Sequence, residues 1–280
     1  MLVINLTTTY QRLPLCRIAL LSLLLQSKSP DKINLWVSAN PYLRDMGIRS
    51  PALVDDFLAS LPDALAKLVH VRWVSNTGPY RKLIPVLREA TLDDLIVTAD
   101  DDIFYGENWL KILLDAYYLS QDVAVAARVR GIEFNFLGRE TSYIYWRLLK
   151  KPIILSNDYV VTFGGGAVLS KAMFREEDIA DNAFLEIAPT ADDLWYSKLL
   201  MRNSIKVCVV PDVLNELNFI IHNDGLINDN YSKKLSLFSK IPIRLWSYLA
   251  GYFGMTVSGN DCAYKKINRY FYTIDNKLGR

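Results

Sequence analysis

The sequence predicts an α/β protein with a mostly parallel sheet flanked by helices, and three observations point there. Apolar runs rich in Val and Ile alternate with helical patterns over residues 1–100, as βαβ units require. The run at 95–98 is short and apolar, the kind of strand that a sheet covered on both faces buries. No internal repeat or low-complexity linker divides the 280 residues, so one continuous domain is preferred over two.

Taken in order, residues 2–6 read as the first strand, 13–26 as a helix and 33–38 as the second strand. Residues 51–68 read as helical with a break at Pro62, which cannot continue a helix, and 69–74 as the third strand. The segment 79–90 opens with a proline suited to a first helical turn and is followed by the strand at 95–98, which runs directly into Asp100, Asp101 and Asp102. Residues 109–119 look helical, whereas 123–132 and 160–170 read as strands, the latter broken by Gly164, Gly165 and Gly166. A helix at 192–201 carries acidic residues in its first turn, where the helix dipole favours them, and 205–210 returns as a strand. The second half is therefore mixed, and the pattern weakens after Pro211.

Bulk properties exclude several classes. With 51% apolar residues the chain has enough material for a sizeable core, and 32 basic against 30 acidic residues do not suggest a duplex nucleic acid partner. Cys16, Cys208 and Cys262 are widely spaced and read as small buried thiols, which suits a reducing cytoplasm. Residues 1–6 lack the basic start of a secretory signal. The apolar stretch 13–25 is interrupted by Arg17 and falls short of the roughly 20 residues that cross a bilayer, so a core helix is expected.

The triplet carries the chemistry. Ligands of open α/β sheets bind beyond the carboxyl ends of the strands, and the strand at 95–98 delivers three carboxylates there. Magnesium or manganese takes one or two carboxylates and leaves its other positions to water and phosphates, a task that suits Asp100 and Asp102. On an extended segment those two share a side and Asp101 points elsewhere; the competing reading is a solvated acidic turn. Upstream, the helix start after Asn76-Thr77-Gly78-Pro79, with Lys82 or Arg81 in its first turn, offers an anion site, against a plain turn with surface cations. The glycines at 164–166 let backbone approach a ligand closely, or form a β-bulge.

The segments INLTTTYQR, TGPYRKLIPVL, IVTADDDIFYGENWL, GGGAVLSKAMF, APTADDLWYSKLL and HNDGLINDN occur in that order between Leu2 and about Asn230. In that order they resemble bacterial glycosyltransferases of the GT-A type, close to the family 2-like enzymes of surface-polysaccharide assembly. The resemblance implies a Rossmann-like GT-A catalytic domain at 1–230 and a helical extension at 231–280, packed on that domain or touching the membrane. It implies a metal-dependent hexosyltransferase that moves a sugar from a nucleoside-diphosphate donor, UDP above all, to a saccharide or lipid-linked saccharide, by inversion if a carboxylate serves as base, with retention the alternative. It nominates Thr8 and Tyr10 for the nucleoside, Lys82, Asp100 and Asp101 for the donor, Asp102 for a Mn2+ or Mg2+ ion and Asp100 for the ribose or that ion. A late histidine, here His222, completes the metal site in related enzymes, although a loop histidine is more often a surface hydrogen-bonding group. His70 reads as structural.

By the same likeness, Gly165 and Gly166 border the acceptor, and Asp192-Asp193 is the acidic motif at a helix start beside it. One of these carboxylates is the expected general base, Asp193 preferred over Asp192, while the other caps the helix. Trp195 is either a wall for a sugar ring or a core tryptophan. The aromatic stretch 241–255, with Lys233, Lys234, Lys240, Arg244, Lys265 and Lys266 around it, reads as a packed C-terminal helix or as a peripheral contact with an anionic inner leaflet. A nucleotidyltransferase is the rival enzyme, disfavoured because Thr7-Thr8-Thr9-Tyr10-Gln11-Arg12 lacks the glycines of its loop. The rival without chemistry is an inactive carbohydrate-binding protein on the same fold.

Overall fold

The computed structural model describes residues 1–120, 123–220 and 246–278. In chain order its strands are β1 (Leu2–Thr7), β2 (Lys32–Val37), β3 (Val69–Trp73), β4 (Leu95–Thr98), β5 (Ile103–Tyr105), β6 (Val123–Ala126), β7 (Val129–Gly131), β8 (Ile153–Leu155), β9 (Tyr159–Val161), β10 (Ala167–Leu169), β11 (Lys206–Val209) and β12 (Leu217–Phe219). Eight of them form one sheet in the order β3-β2-β1-β4-β10-β6-β11-β8. The half made from β1 to β4 is all parallel, and antiparallel β10 and β8 make the other half mixed. This is the α/β class expected.

The chain runs outward from β1 through β2 to β3, then crosses back to place β4 on the other side of β1. Strand order therefore reverses between β1 and β4, and the crevice beyond their carboxyl ends is where such sheets bind ligands. The parallel register sets Asn5 opposite both Asn34 and Thr98, so the loops after β1 and β4 emerge side by side. Asn5 is fully buried, and its Oδ1 accepts from Asn34 Nδ2 at 2.9 Å and Trp36 Nε1 at 3.0 Å, which satisfies a polar group that would otherwise penalise this strand.

Alternation along the strands divides the core. Ile96, Ala124 and Ala126 face one cluster with Trp195, Leu199 and Phe271; Val97, Val125 and Val168 face another with Cys16, Leu20, Trp109 and Leu113. Helices α1 (Leu13–Leu24), α2 (Ala52–Ala59), α3 (Asp63–Ala66), α4 (Ile84–Glu89), α5 (Trp109–Leu119), α6 (Glu176–Ala180), α7 (Phe184–Ile187) and α8 (Asp192–Arg202) precede a last helix, Gly259–Leu278. That last helix buries Ile267 and Phe271 beside α8, with the Phe271 and Trp195 ring centroids 4.8 Å apart, and Arg202 pairs with both Asp178 and Asp275.

Several elements differ from expectation. The helix read at 79–90 is a 3-10 turn, Gly78–Lys82, followed by α4, because Pro85 has no N–H to donate back to Arg81. The strand read at 123–132 is β6 in the main sheet and β7 paired with β9 in a small one; the chain leaves the main sheet at Ala127 and Arg128. β5, β8 and β12, each three residues long, carry too few residues for alternation to reveal them. Among the cysteines, Cys16 is buried but Cys262 is exposed on the last helix. His222 and the cations at 233–244 lie outside the described residues. No helix among the described residues is long and apolar enough to cross a membrane.

Candidate functional site

The loop after β1 and the loop after β4 meet through Arg12 and the triplet. Arg12 Nη2 lies 2.6 Å from Asp101 Oδ1 and 2.8 Å from Asp102 Oδ2, and Thr8 Oγ1 donates to Asp101 Oδ2 at 2.7 Å. Asp101 is buried by these contacts, whereas Asp100 and Asp102 keep partly open side chains, at 35% and 27% exposure. Tyr10 shares a 3-10 turn with Arg12, half of its surface open.

A second bridge spans the cleft. Lys82, buried in the 3-10 turn that follows β3, places Nζ 3.0 Å from Asp100 Oδ1 and 3.1 Å from Asp192 Oδ2. The contact to Asp192 is an ion pair without hydrogen-bond alignment, since Asp192 Oδ2 has no hydrogen-bond partner among the described residues. Its neighbour Arg81 is turned away to Asp45 Oδ2 at 2.9 Å. Of the two cations considered for an anion, then, Lys82 meets the triplet directly, whereas Arg81 pairs with Asp45 and donates to the carbonyl of Thr8 at 3.3 Å.

Neither carboxylate of α8 caps that helix through its side chain; the N-cap is Ala191. Asp193 Oδ1 instead accepts from the backbone N–H of Phe163 at 3.0 Å, which aims it at the glycine segment. The glycines divide by role. A Cβ on Gly164 would lie 1.8 Å from Asp100 Oδ2, so this residue borders the triplet. Gly165 lies against the stem of Arg128. Gly166 has φ +107° and abuts the buried Trp109 and Leu113, so the expectation that it borders an acceptor is corrected: packing and backbone conformation require it. Trp195 is likewise corrected to a core residue, fully buried between Phe184, Tyr270 and Phe271, where no sugar ring reaches it.

Charge density perturbs these groups in opposite directions. Burial works against ionised Asp100, but Lys82 outweighs it and holds this carboxyl below its usual range. Burial dominates at Asp101 and pushes it up to about 7 despite Arg12 and Thr8. Asp193 is also pushed up to about 7, by burial and then by the charge of Asp192. Lys82 is disfavoured by burial yet held well above its ordinary value by Asp100 and Asp192.

Charge and donor chemistry test whether a divalent cation suits this site. Asp100, Asp101, Asp102, Asp192 and Asp193 share the cleft with Arg12, Lys82 and Arg128, so five carboxylates against three cations leave two negative charges in excess when all are ionised. The donors are hard oxygens, as Mg2+ and Mn2+ prefer. Residues 101 and 102 form a turn rather than an extended strand, and Asp100 and Asp102 turn to different cations, unlike the shared side expected of i and i+2. Among the described residues no three His, Cys, Asp or Glu side chains converge as a complete metal cluster. The set fits a cation that takes one or two carboxylates and fills its shell with water and phosphate.

Arg12 and Arg128 escaped the sequence reading as site residues. Arg12 had a usable signal: it lies just beyond the end of the strand next to β4, and adjacent parallel strands bring their carboxyl-end loops together.

No family model matches the chain, and no curated protein matches it. Among solved structures it is similar to 4-diphosphocytidyl-2C-methyl-D-erythritol synthase from Anaerococcus prevotii, at 13% identity and a TM-score of 0.45, over 76% of this chain and 93% of that one. It is similar to residues 1–349 of TarS from S. aureus at 14% identity and a TM-score of 0.48, over 76% of this chain and 58% of that one. It is similar to the mannosyltransferase PcManGT from Pyrobaculum calidifontis, in complex with GDP-Man and Mn2+, at 14% identity and a TM-score of 0.45, over 90% of this chain and 62% of that one. The chain thus spans about three fifths of the length of the last two.

Proposed function

We propose that the chain is a GT-A type glycosyltransferase that moves a hexosyl group from a uridine diphosphate donor to a hydroxyl of a saccharide or lipid-linked saccharide, in the assembly of a cell-surface polysaccharide. The observation that carries this reading is the Lys82 bridge. One buried ammonium joins the strand-end triplet, at Asp100, to the acidic pair of α8, at Asp192, and so unites a cleft for a leaving diphosphate with a carboxylate for an attacking hydroxyl.

In this reading Thr8 and Tyr10 border the nucleoside, and Arg12 and Lys82 supply positive charge to the diphosphate. Asp102 and Asp100 would hold Mn2+ or Mg2+, which when bound acts as a Lewis acid toward the charge that builds on the departing diphosphate. Asp193 takes the proton of the acceptor hydroxyl as its oxygen bonds to the anomeric carbon. The bond from that carbon to the diphosphate breaks with its electron pair, and UDP leaves. Attack from the face opposite the leaving group inverts the anomeric centre. Asp193 suits the base role better than Asp192, because Lys82 pairs with Asp192 while the hydrogen bond from Phe163 leaves Asp193 its second oxygen.

Acceptor delivery at the inner face of the plasma membrane extends the proposal. Phe136, Trp246, Tyr248, Leu249 and Phe253 are exposed, and Phe136 meets Tyr252 and Phe253 ring to ring while Tyr145 meets Tyr248. Aromatic side chains grouped in this way suit the lipid interface. The nucleotidyltransferase alternative is disfavoured by the glycine-free loop at 7–12, which Thr8 and Arg12 tie to the triplet.

The test is a panel of nucleotide sugars scored for metal-dependent thermal stabilisation. A UDP-sugar with Mn2+ is expected to give the largest shift, and Asp102→Ala to abolish it. An equal shift in the variant removes Asp102 from the site, and no shift with any nucleotide sugar sinks the transferase reading.

A further inference from the structure

Arg128 is the one cation around the cleft with neither a carboxylate nor a hydrogen-bond acceptor as partner among the described residues. Arg12 is taken by Asp101 and Asp102, Arg81 by Asp45, and Lys82 by Asp100 and Asp192. Arg130, two residues on, donates Nη1 to the carbonyl of Trp146 at 2.7 Å and lies over Tyr143. Among the described residues the Arg128 guanidinium has only an aromatic contact, its carbon 4.7 Å from the ring centroid of Phe219. None of its nitrogens is among the sealed, unpartnered polar atoms, so its donors remain within reach of solvent.

The position is built, not incidental. Arg128 stands where the chain leaves β6 for β7, its own carbonyl accepting from Thr162 N at 2.8 Å. Its stem packs on Gly165 so closely that a Cβ there would lie 2.7 Å from both Cγ and Cδ. The carboxylates whose fields reach it are Asp193 and Asp100, while burial and then Arg130 disfavour its charge. A half-buried guanidinium with five free donors, held between a ring and a glycine, is a fork for a planar or tetrahedral anion.

Its side of the cleft identifies the anion. Arg12 and Lys82 approach the triplet from the loops after β1 and β3, where the nucleoside and diphosphate would lie. Arg128 follows β6, which is separated from β4 by β10, and packs on Gly165, two residues from the Phe163 N–H that holds Asp193. We propose that Arg128 recognises a negatively charged group, a carboxylate or a phosphate, on the acceptor. The inference rests on the transferase reading and gives it an acceptor class: an acidic sugar or a sugar phosphate, whose anion docks on Arg128 while a hydroxyl of the same molecule reaches Asp193.

The experiment titrates D-glucuronate, inorganic phosphate and D-glucose separately against the full chain, read by ligand-observed NMR, with UDP plus Mn2+ in parallel. Wild type, Arg128→Gln and Arg128→Lys are compared after circular dichroism shows each folded. At least one anion is expected to bind wild type more tightly than glucose and to weaken by roughly tenfold to a hundredfold in Arg128→Gln, the range that loss of hydrogen bonds to a charged group produces. Arg128→Lys is expected to fall between, because it keeps the charge and loses the fork. Preference for glucuronate over phosphate assigns an acidic sugar, and the reverse a phosphorylated one. Equal binding of glucose and both anions, or anion binding unchanged in Arg128→Gln, overturns the proposal. So does a variant that weakens UDP and spares the anion, which moves Arg128 to the donor. Failure of UDP with Mn2+ to bind wild type is a separate outcome, against the transferase reading itself.

Discussion

Gly164 and Asp100 approach so closely that a methyl group on residue 164 would lie 1.8 Å from the Asp100 carboxylate. Both Oδ2 and Cγ of Asp100 stand in the way and yield only by leaving Lys82, so Gly164→Ala is expected to cost the fold about 1–3 kcal/mol, the usual range for overpacking. It is expected to turn Asp100 away from Lys82 and remove most of the stabilisation by UDP and Mn2+. Thermal melts with and without the nucleotide check both halves, and an undiminished nucleotide shift would detach Asp100 from donor binding.

Lys82 is sealed between two carboxylates, and its removal leaves them without their cation. Lys82→Met is expected to destabilise the chain by about 3–5 kcal/mol, as loss of one partner of a buried ion pair does. Its raised pKa adds stability that is present below the unfolded value of 10.5 and lost only well above it, and because Lys82 also lowers the Asp193 carboxyl from a still higher value, the deficit should grow from pH 6 to pH 8. Urea denaturation at both pH values measures it.

Asp193 faces Asp192, Lys82, Asp100, Arg128 and Tyr143, and the balance raises its carboxyl from 3.8 to about 7. A raised carboxylate stabilises the fold most when protonated, so its contribution is complete below the unfolded value and is lost as pH rises through about 7. Asp193→Asn keeps an acceptor for Phe163 N–H without the charge. It is therefore expected to raise the melting temperature at pH 8 relative to wild type, with a smaller difference at pH 5.

As the base, the same residue must be ionised. Transfer activity is expected to climb with pH through about 7, and Asp193→Asn to lower kcat by about a hundredfold to ten-thousandfold. A flat pH profile with full activity in the variant assigns the base elsewhere.

Trp195 separates packing from recognition. Truncation of a fully buried tryptophan costs about 3–5 kcal/mol, so Trp195→Ala should lose stability on that scale. In the conservative Trp195→Phe, donor and acceptor binding should persist once folding is confirmed; selective loss of acceptor binding would restore the sugar-wall role.

Particular residues show where sequence reasoning reached and where it stopped. The triplet was legible because an apolar strand of four residues ends at its door, and Asp192 and Asp193 because a helical pattern starts at them. That Lys82 joins the two groups was not legible: 18 and 110 residues separate it from Asp100 and Asp192, and only the crossing of the chain over β1 brings them together. Arg128 was hidden because the run 123–132 looks like one strand, whereas the chain changes sheets at that residue.

The sequence by itself determined the α/β class, the strand that carries the triplet and the helix that opens with two acids, because apolar periodicity and proline placement are local properties of the chain. Tertiary structure decided which carboxylate meets which cation, which glycine borders the site, and that Trp195 belongs to the core. Those outcomes depend on which strand ends become neighbours and on how charges divide a shared, poorly solvated cleft, and no local pattern encodes either.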